Sequence, residues 1–157
     1  MRNAKTAFLW IIRILKKHRV PYQVTGGLAA KIYGAKRKLN DIDIDIRNDK
    51  FRDILADVKK YAVFGPARYK DKRWDFFRLI LKYKWQKIDL SGAHNFKIRD
   101  ARTGKWKSCP SDLSKSVWKN AFGIKISVVS KEDLVAYKKM LAGKHQIQDI
   151  REITRPH

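Results

Sequence analysis

The run Asp41-Ile42-Asp43-Ile44-Asp45 follows the pair Gly26-Gly27 after an interval of 13 residues (28 to 40). Two carboxylates one residue apart on a strand point to the same side about 7 Å from each other, so both reach a divalent ion, or a pair of ions about 4 Å apart. Magnesium suits such a pair because it takes few protein oxygens and fills its other positions with water and substrate phosphates. The chemistry indicated is metal-dependent phosphoryl transfer from a nucleoside triphosphate. Only 12 further acids (15 minus 3) accompany this run in a chain with 37 Lys and Arg, so the cluster is not compositional noise. The glycine pair is complementary, since a turn without side chains lets backbone amides and a helix N-terminus approach phosphates. A solvated strand face is the competing reading of the same acids.

The elements that must hold these residues can be read from periodicity. Phe8, Ile11, Ile12 and Leu15 recur at helical spacing before Pro21, predicting a helix that packs on a sheet. Tyr22 to Thr25 reads as a strand ending at the glycine turn, and Leu28 to Tyr33 as a helix ending at Gly34. Asp41 to Ile46 alternates strictly, which puts Ile42, Ile44 and Ile46 on the core face and the three acids on the other. Phe51, Ile54, Leu55 and Val58 mark another helix, Gly65-Pro66 reads as punctuation, and strands follow at Phe76 to Leu81 and Trp85 to Leu90. Residues 92 to 123 carry little pattern beyond one hairpin around Thr103-Gly104. Ile124 to Val129 then reads as a strand, Ser130 to Asp133 as a capping box opening a helix through Leu141, and Gln146 to Ile153 as a last helix.

Length and composition set the class. The 157 residues, 44% hydrophobic and 11% aromatic, fit one domain over 1–157 with an ordered core. A net charge of +22 attracts polyanions, with nucleic acid first among them. Cys109 is the only cysteine, which excludes an internal disulfide and a thiolate zinc site and fits a reducing, cytoplasmic setting. His18, His94, His145 and His157 lack ligand spacing, so the expected metal ligands are oxygens. The apolar stretch Ala7 to Ile12 is too short to span a membrane, and no membrane partner is expected.

Val24-Thr25-Gly26-Gly27-Leu28-Ala29-Ala30, Tyr33-Gly34, Arg37 and Asp41-Ile42-Asp43-Ile44 together resemble the signature of the DNA polymerase beta-like nucleotidyltransferase superfamily, in its small minimal or toxin-type members. Glu132 to Lys138 and Asp149-Ile150 are similar to the closing helices of those members. The resemblance implies an α/β (α+β) fold with a short mixed sheet, helices against one face and the acids at its rim. It also implies that Asp41 and Asp43 hold two magnesium ions and that a third carboxylate arrives on a neighbouring strand. Asp89, in Lys87-Ile88-Asp89-Leu90, is the candidate, with Asp75 as its competitor. Gly26 and Gly27, with Arg37 and Lys138, are the expected nucleotide-binding residues; Lys138 lies on an apolar helical stripe, where its ammonium needs a carboxylate or a phosphate. Asp45, one step further from the glycine turn, is left outside the catalytic set. Two departures stand out: Leu39 occupies a position where the family often has Thr, and Ile147 replaces one of two acids usual in the closing helices.

The implied activity is transfer of a nucleoside monophosphate from a triphosphate such as ATP to an acceptor hydroxyl, with release of pyrophosphate. The charge favours RNA, including tRNA-like ends, over cationic antibiotics, which need acidic clefts. Between Lys70 and Trp85, cations alternate with aromatics in a way that can track a backbone and stack bases, or form the wet face of a sheet. The rival reading is a nucleic-acid-binding module or toxin–antitoxin component, with a cognate partner protein, that keeps the fold without turnover. The oligomeric state is open.

Overall fold

The computed structural model describes residues 2–156. Helix α1 (Arg2–Lys17) leads into β1 (Tyr22–Thr25), α2 (Gly26–Ile32), β2 (Asp41–Ile46) and α3 (Phe51–Val58). The long strands β3 (Ala62–Lys70), β4 (Trp74–Tyr83) and β5 (Gln86–Gly92) follow. The short strands β6 (Lys97–Arg99) and β7 (Trp106–Ser108) come next, then β8 (Val117–Ala121) and β9 (Ile124–Val128), with α4 (Lys131–Leu141) and α5 (Lys144–Thr154) closing the chain.

The nine strands among these residues form one sheet in the order β7-β6-β4-β5-β2-β1-β9-β8, with β3 on the other edge of β4. The sheet is mixed: β2 runs parallel to β5 and β1 parallel to β9, and the other pairs are antiparallel. It is wider than a short sheet, because residues 92–123 contribute β6, β7 and β8, whose few apolar residues leave no periodic signal.

Alternation decides the two faces of the sheet. Ile42, Ile44, Ile46, Ile88 and Leu90 are wholly buried against Phe8, Ile11 and Leu15 of α1 and Phe51, Ile54 and Val58 of α3. Each such side chain contributes about 1.5–3 kcal/mol by leaving water, so this face anchors the strands that present the acids on the other. The expectation of helices on one face holds for α1 and α3. Helix α4 departs from it: Tyr137, Met140 and Leu141 pack against Phe76, Phe96 and Ile98. Ile98 pairs with Trp74, which shares its side of β4 with Phe76 and Arg78, and Arg78 pairs with Ser91 beside Asp89. Thus α4 lies on the acid face and walls a cleft. Ser130 caps this helix by accepting from the Asp133 amide at 3.1 Å, as its sequence predicts.

Gly65-Pro66 does not end an element. Strand β3 runs through it with register shifts between Ala62 and Phe64 and between Phe64 and Ala67, so the pair occupies an irregularity in the ladder where a missing proline N–H is tolerated.

Candidate active site

Register brings the acids together. In the parallel pair of β2 and β5, Asp41 lies opposite Lys87, Asp43 opposite Asp89 and Asp45 opposite Ser91. Strand β1, on the other side of β2, sets Thr25 against Asp43 and Gln23 against Asp45. Neighbouring strands are about 4.8 Å apart, so Asp41, Asp43 and Asp89 form one group. Asp75 is excluded from it: it sits on the opposite phase of β4 from Phe76 and Arg78, and Arg68 donates to both of its oxygens at 2.8 and 2.7 Å.

Directly after β1 the chain turns at Gly26, whose φ is +63°, and a Cβ there would lie 2.2 Å from Asp43 Oδ2. Only glycine lets the α2 backbone approach that carboxylate. Gly27 differs: the nearest neighbour of an added Cβ is Leu39 Cδ1 at 3.6 Å, so the fold itself leaves room there.

All seven residues singled out from the sequence line one cleft of about 590 Å³: Gly26, Gly27, Arg37, Asp41, Asp43, Asp89 and Lys138. A smaller recess of about 140 Å³ adjoins it between Gly27, Lys31, Arg37, Asn40 and Asp41. The far wall of the large cleft is aromatic, with Tyr69, Trp74, Phe76, Phe96 and Tyr137. Trp74 Nε1 donates to the Tyr137 hydroxyl at 3.0 Å, and burial pushes that phenol above its ordinary range.

The acids differ in their partners. Asp43 has no ion-pair partner among the described residues; burial, then the charges of Asp89, Asp41 and Asp45, push its carboxyl up to about 8, with Lys87 offsetting part of the rise. Burial also raises Asp45, to about 7, against the effect of a short hydrogen bond from Ser111 Oγ and with the charge of Asp89 adding to it. Asp41 has Lys87 Nζ at 3.6 Å. Asp89 is gripped by Arg78, whose Nε donates at 3.0 Å and whose Nη2 completes a fork. That guanidinium also lies 4.5 Å from the Tyr69 ring centre.

Arg37 and Lys138 converge on Asp149 rather than standing free. Arg37 Nη2 donates at 3.0 Å and Lys138 Nζ at 2.9 Å. Lys138 is 4% exposed and Asp149 1%, so the buried ammonium has found the carboxylate that its place on an apolar stripe demanded. Burial alone would raise Asp149, but the hydrogen bonds from Arg37 and Lys138 outweigh it and hold the carboxyl below its ordinary value.

Sequence reasoning missed the role of Arg78 and Lys87. Both were within reach of the alternation rule, since Lys87 and Asp89 share a phase of β5, as Phe76 and Arg78 do of β4. What the rule lacked was the pairing of β4 with β5 that sets Arg78 beside Asp89.

Among the described residues no three His, Cys, Asp or Glu side chains stand close enough to enclose an ion as they are. The donor chemistry nevertheless fits a hard cation: Asp43 is a buried oxygen donor beside Asp41 and Asp89, and a divalent ion would displace the proton that its raised pKa retains.

No family model and no curated protein matches the sequence. Solved structures do. A provisionally assigned nucleotidyltransferase from Thermotoga maritima superposes with a TM-score of 0.67 at 24% identity, covering 86% of this chain and 85% of that one. A lincosamide antibiotic adenylyltransferase with bound lincomycin gives 0.61 at 16% identity, over 93% of each chain. The antibiotic-resistance factor ANT(2")-Ia, in complex with adenylyl-2"-tobramycin, gives 0.61 at 15% identity, over 96% of this chain and 87% of that one. At these identities the likeness establishes the fold, and the chain has the nucleotidyltransferase fold.

Proposed function

We propose that this protein is a magnesium-dependent nucleotidyltransferase that moves a nucleoside monophosphate from a triphosphate to an acceptor hydroxyl, with RNA as the acceptor. The observation that carries the reading is the group Asp41, Asp43 and Asp89 on one sheet face, with Gly26 packed against Asp43 so closely that no side chain fits between them. The fold likeness to adenylyltransferases supports it.

Asp41 and Asp43, with Asp89 beside them, would hold magnesium; when bound, the metal would neutralise triphosphate charge and lower the pKa of the acceptor hydroxyl. Gly27, without a side chain, leaves the adjoining recess open for phosphates, and Arg37, which lines it, would supply a guanidinium to them. The acceptor oxygen attacks the α-phosphorus, the α–β anhydride bond breaks, pyrophosphate leaves, and the hydroxyl proton passes to a carboxylate, for which Asp89 is the candidate once Arg78 moves aside. The net charge of +22 favours a polyanionic acceptor.

One observation favours an inert nucleic-acid-binding module, alone or with a cognate partner protein: the fork from Arg78 occupies Asp89. Incubation with each α-labelled triphosphate, magnesium and cellular RNA separates the two. Label in RNA that disappears with Asp41→Ala/Asp43→Ala supports transfer. RNA binding with no label in RNA or protein would establish the inert module instead.

A further inference from the structure

Two hairpins in this sheet turn through two residues. In the first, Ala121 pairs with Ile124, so Phe122 and Gly123 make the turn, with φ of 54° and 82°. That is the geometry expected of a tight hairpin, with glycine where a side chain is most strained, and Phe122 is anchored by packing 5.3 Å from Phe8. In the second, Tyr83 pairs with Gln86, so Lys84 and Trp85 make the turn, with φ of 47° and 69°. Here a tryptophan stands at the strained position and is 84% exposed, the most exposed large apolar side chain among the described residues. Neither packing nor backbone preference accounts for it, and strain of this kind, held at a cost of about 1–3 kcal/mol, marks sites kept for function.

The surroundings of the tip define what it could bind. Lys82 Nζ lies 5.5 Å from the Trp85 ring centre, and Lys84 Nζ lies 5.8 Å from that of Tyr83. The tip is braced from behind, where Tyr83 stacks on Trp10 of α1 at 4.1 Å with the rings 7° from parallel. Register then ties the tip to the active site. Lys82 pairs with Lys87, and Lys87 pairs with Asp41, so these three residues form one row across β4, β5 and β2 on the acid face. Two strand spacings separate Lys82 from Asp41, about 10 Å, and Trp85 is two residues, about 7 Å, beyond Lys87. A rigidly mounted, solvent-facing indole, with the Lys82 ammonium beside its ring and the row of Lys82 and Lys87 leading to Asp41, is what a single strand of nucleic acid requires: a π-face for a base and cations for its phosphates.

We propose that Trp85 is a base-stacking platform for the single-stranded end of the RNA acceptor, with Lys82 contacting a neighbouring phosphate and guiding the strand towards Asp41. This rests on RNA being the acceptor. A protein docking on the same tip is the competing occupant, and the experiment separates them.

The test is binding of a short, unstructured, fluorescently labelled oligoribonucleotide to the full chain over a salt series, comparing wild type with Trp85→Gly, Trp85→Phe and Lys82→Ala. Trp85→Gly should weaken binding roughly ten-fold while raising the melting temperature, because glycine suits the turn; a folding defect would move both in the same direction. Trp85→Phe should retain most of the affinity, and Lys82→Ala should flatten the dependence on salt by about one phosphate contact. Binding of magnesium ATP should be unchanged in all three. If wild type binds RNA and Trp85→Gly binds it equally well, the platform is wrong and the RNA reading stands. If wild type has no RNA affinity, or Trp85→Gly impairs transfer to a protein acceptor alone, the acceptor reading falls and the platform with it.

Discussion

Asp100 and Asp149 are almost fully buried, and each is held by two cations: Arg102 and Lys107 at 3.1 and 2.9 Å for the first, Arg37 and Lys138 at 3.0 and 2.9 Å for the second. Hydrogen bonds from these cations keep both carboxyls below their ordinary range. Asp43 is treated in the opposite way. In a chain with 37 Lys and Arg it has acids for neighbours and a carboxyl pushed up to about 8. Cations are not scarce in this protein, so the lack of an ion-pair partner for Asp43 among the described residues is a property of the site. The fold thus neutralises Asp100 and Asp149 with paired cations and leaves Asp43, at the proposed metal site, without an ion pair among the described residues.

The contrast can be broken first at Asp43. Replacing it with alanine should lower transfer by about 10²–10³-fold, read from the rate of label incorporation, with the unfolding transition of the metal-free protein unchanged or higher. A variant that kept its rate would end the distinction between the two kinds of acid. Asp149→Ala should act chiefly on stability. It leaves the Lys138 ammonium buried without its counterion and should cost about 3–5 kcal/mol, seen as a lower midpoint in urea and insensitive to magnesium.

A smaller effect separates the glycines. Gly26→Ala forces a Cβ onto Asp43 in a left-handed backbone and should cost about 1–3 kcal/mol together with most of the transfer activity. Gly27→Ala has room against Leu39; it should change stability by less than about 0.5 kcal/mol and show its effect only in the apparent affinity for triphosphate.

Asp43 titrates near 8 in the folded, metal-free protein and near 4 when unfolded. The folded state therefore holds that proton more tightly. The stability this contributes is fully present below about pH 4 and is lost as pH rises towards 8. Wild type should lose melting temperature relative to Asp43→Asn across this window, and magnesium should reduce the loss. Parallel pH profiles for the two proteins would contradict the environment assigned to Asp43.

Much of this arrangement was legible in the sequence because two periodicities are written clearly in it. Asp41 to Ile46 alternates without exception, and the glycine pair, the acid strand and the capping box at Ser130 each sit where a local rule applies. What could not be read depends on partners distant in the chain. The turn of β6 and β7 was visible at Thr103-Gly104, but β8 was not, because Val117–Ala121 buries little and takes its shape from pairing with β9. The grip of Arg78 on Asp89 exists only once β4 lies beside β5. The same holds for Asp149, whose two cations come from α4 and from the segment before β2.

Whether Asp43 takes up a cation arriving with a nucleotide is read from thermal unfolding with ATP alone, magnesium alone and the two together. Wild type should show a large upward shift only with both present, and Asp43→Asn none. An equal shift with ATP alone, or one retained by Asp43→Asn, would contradict such uptake.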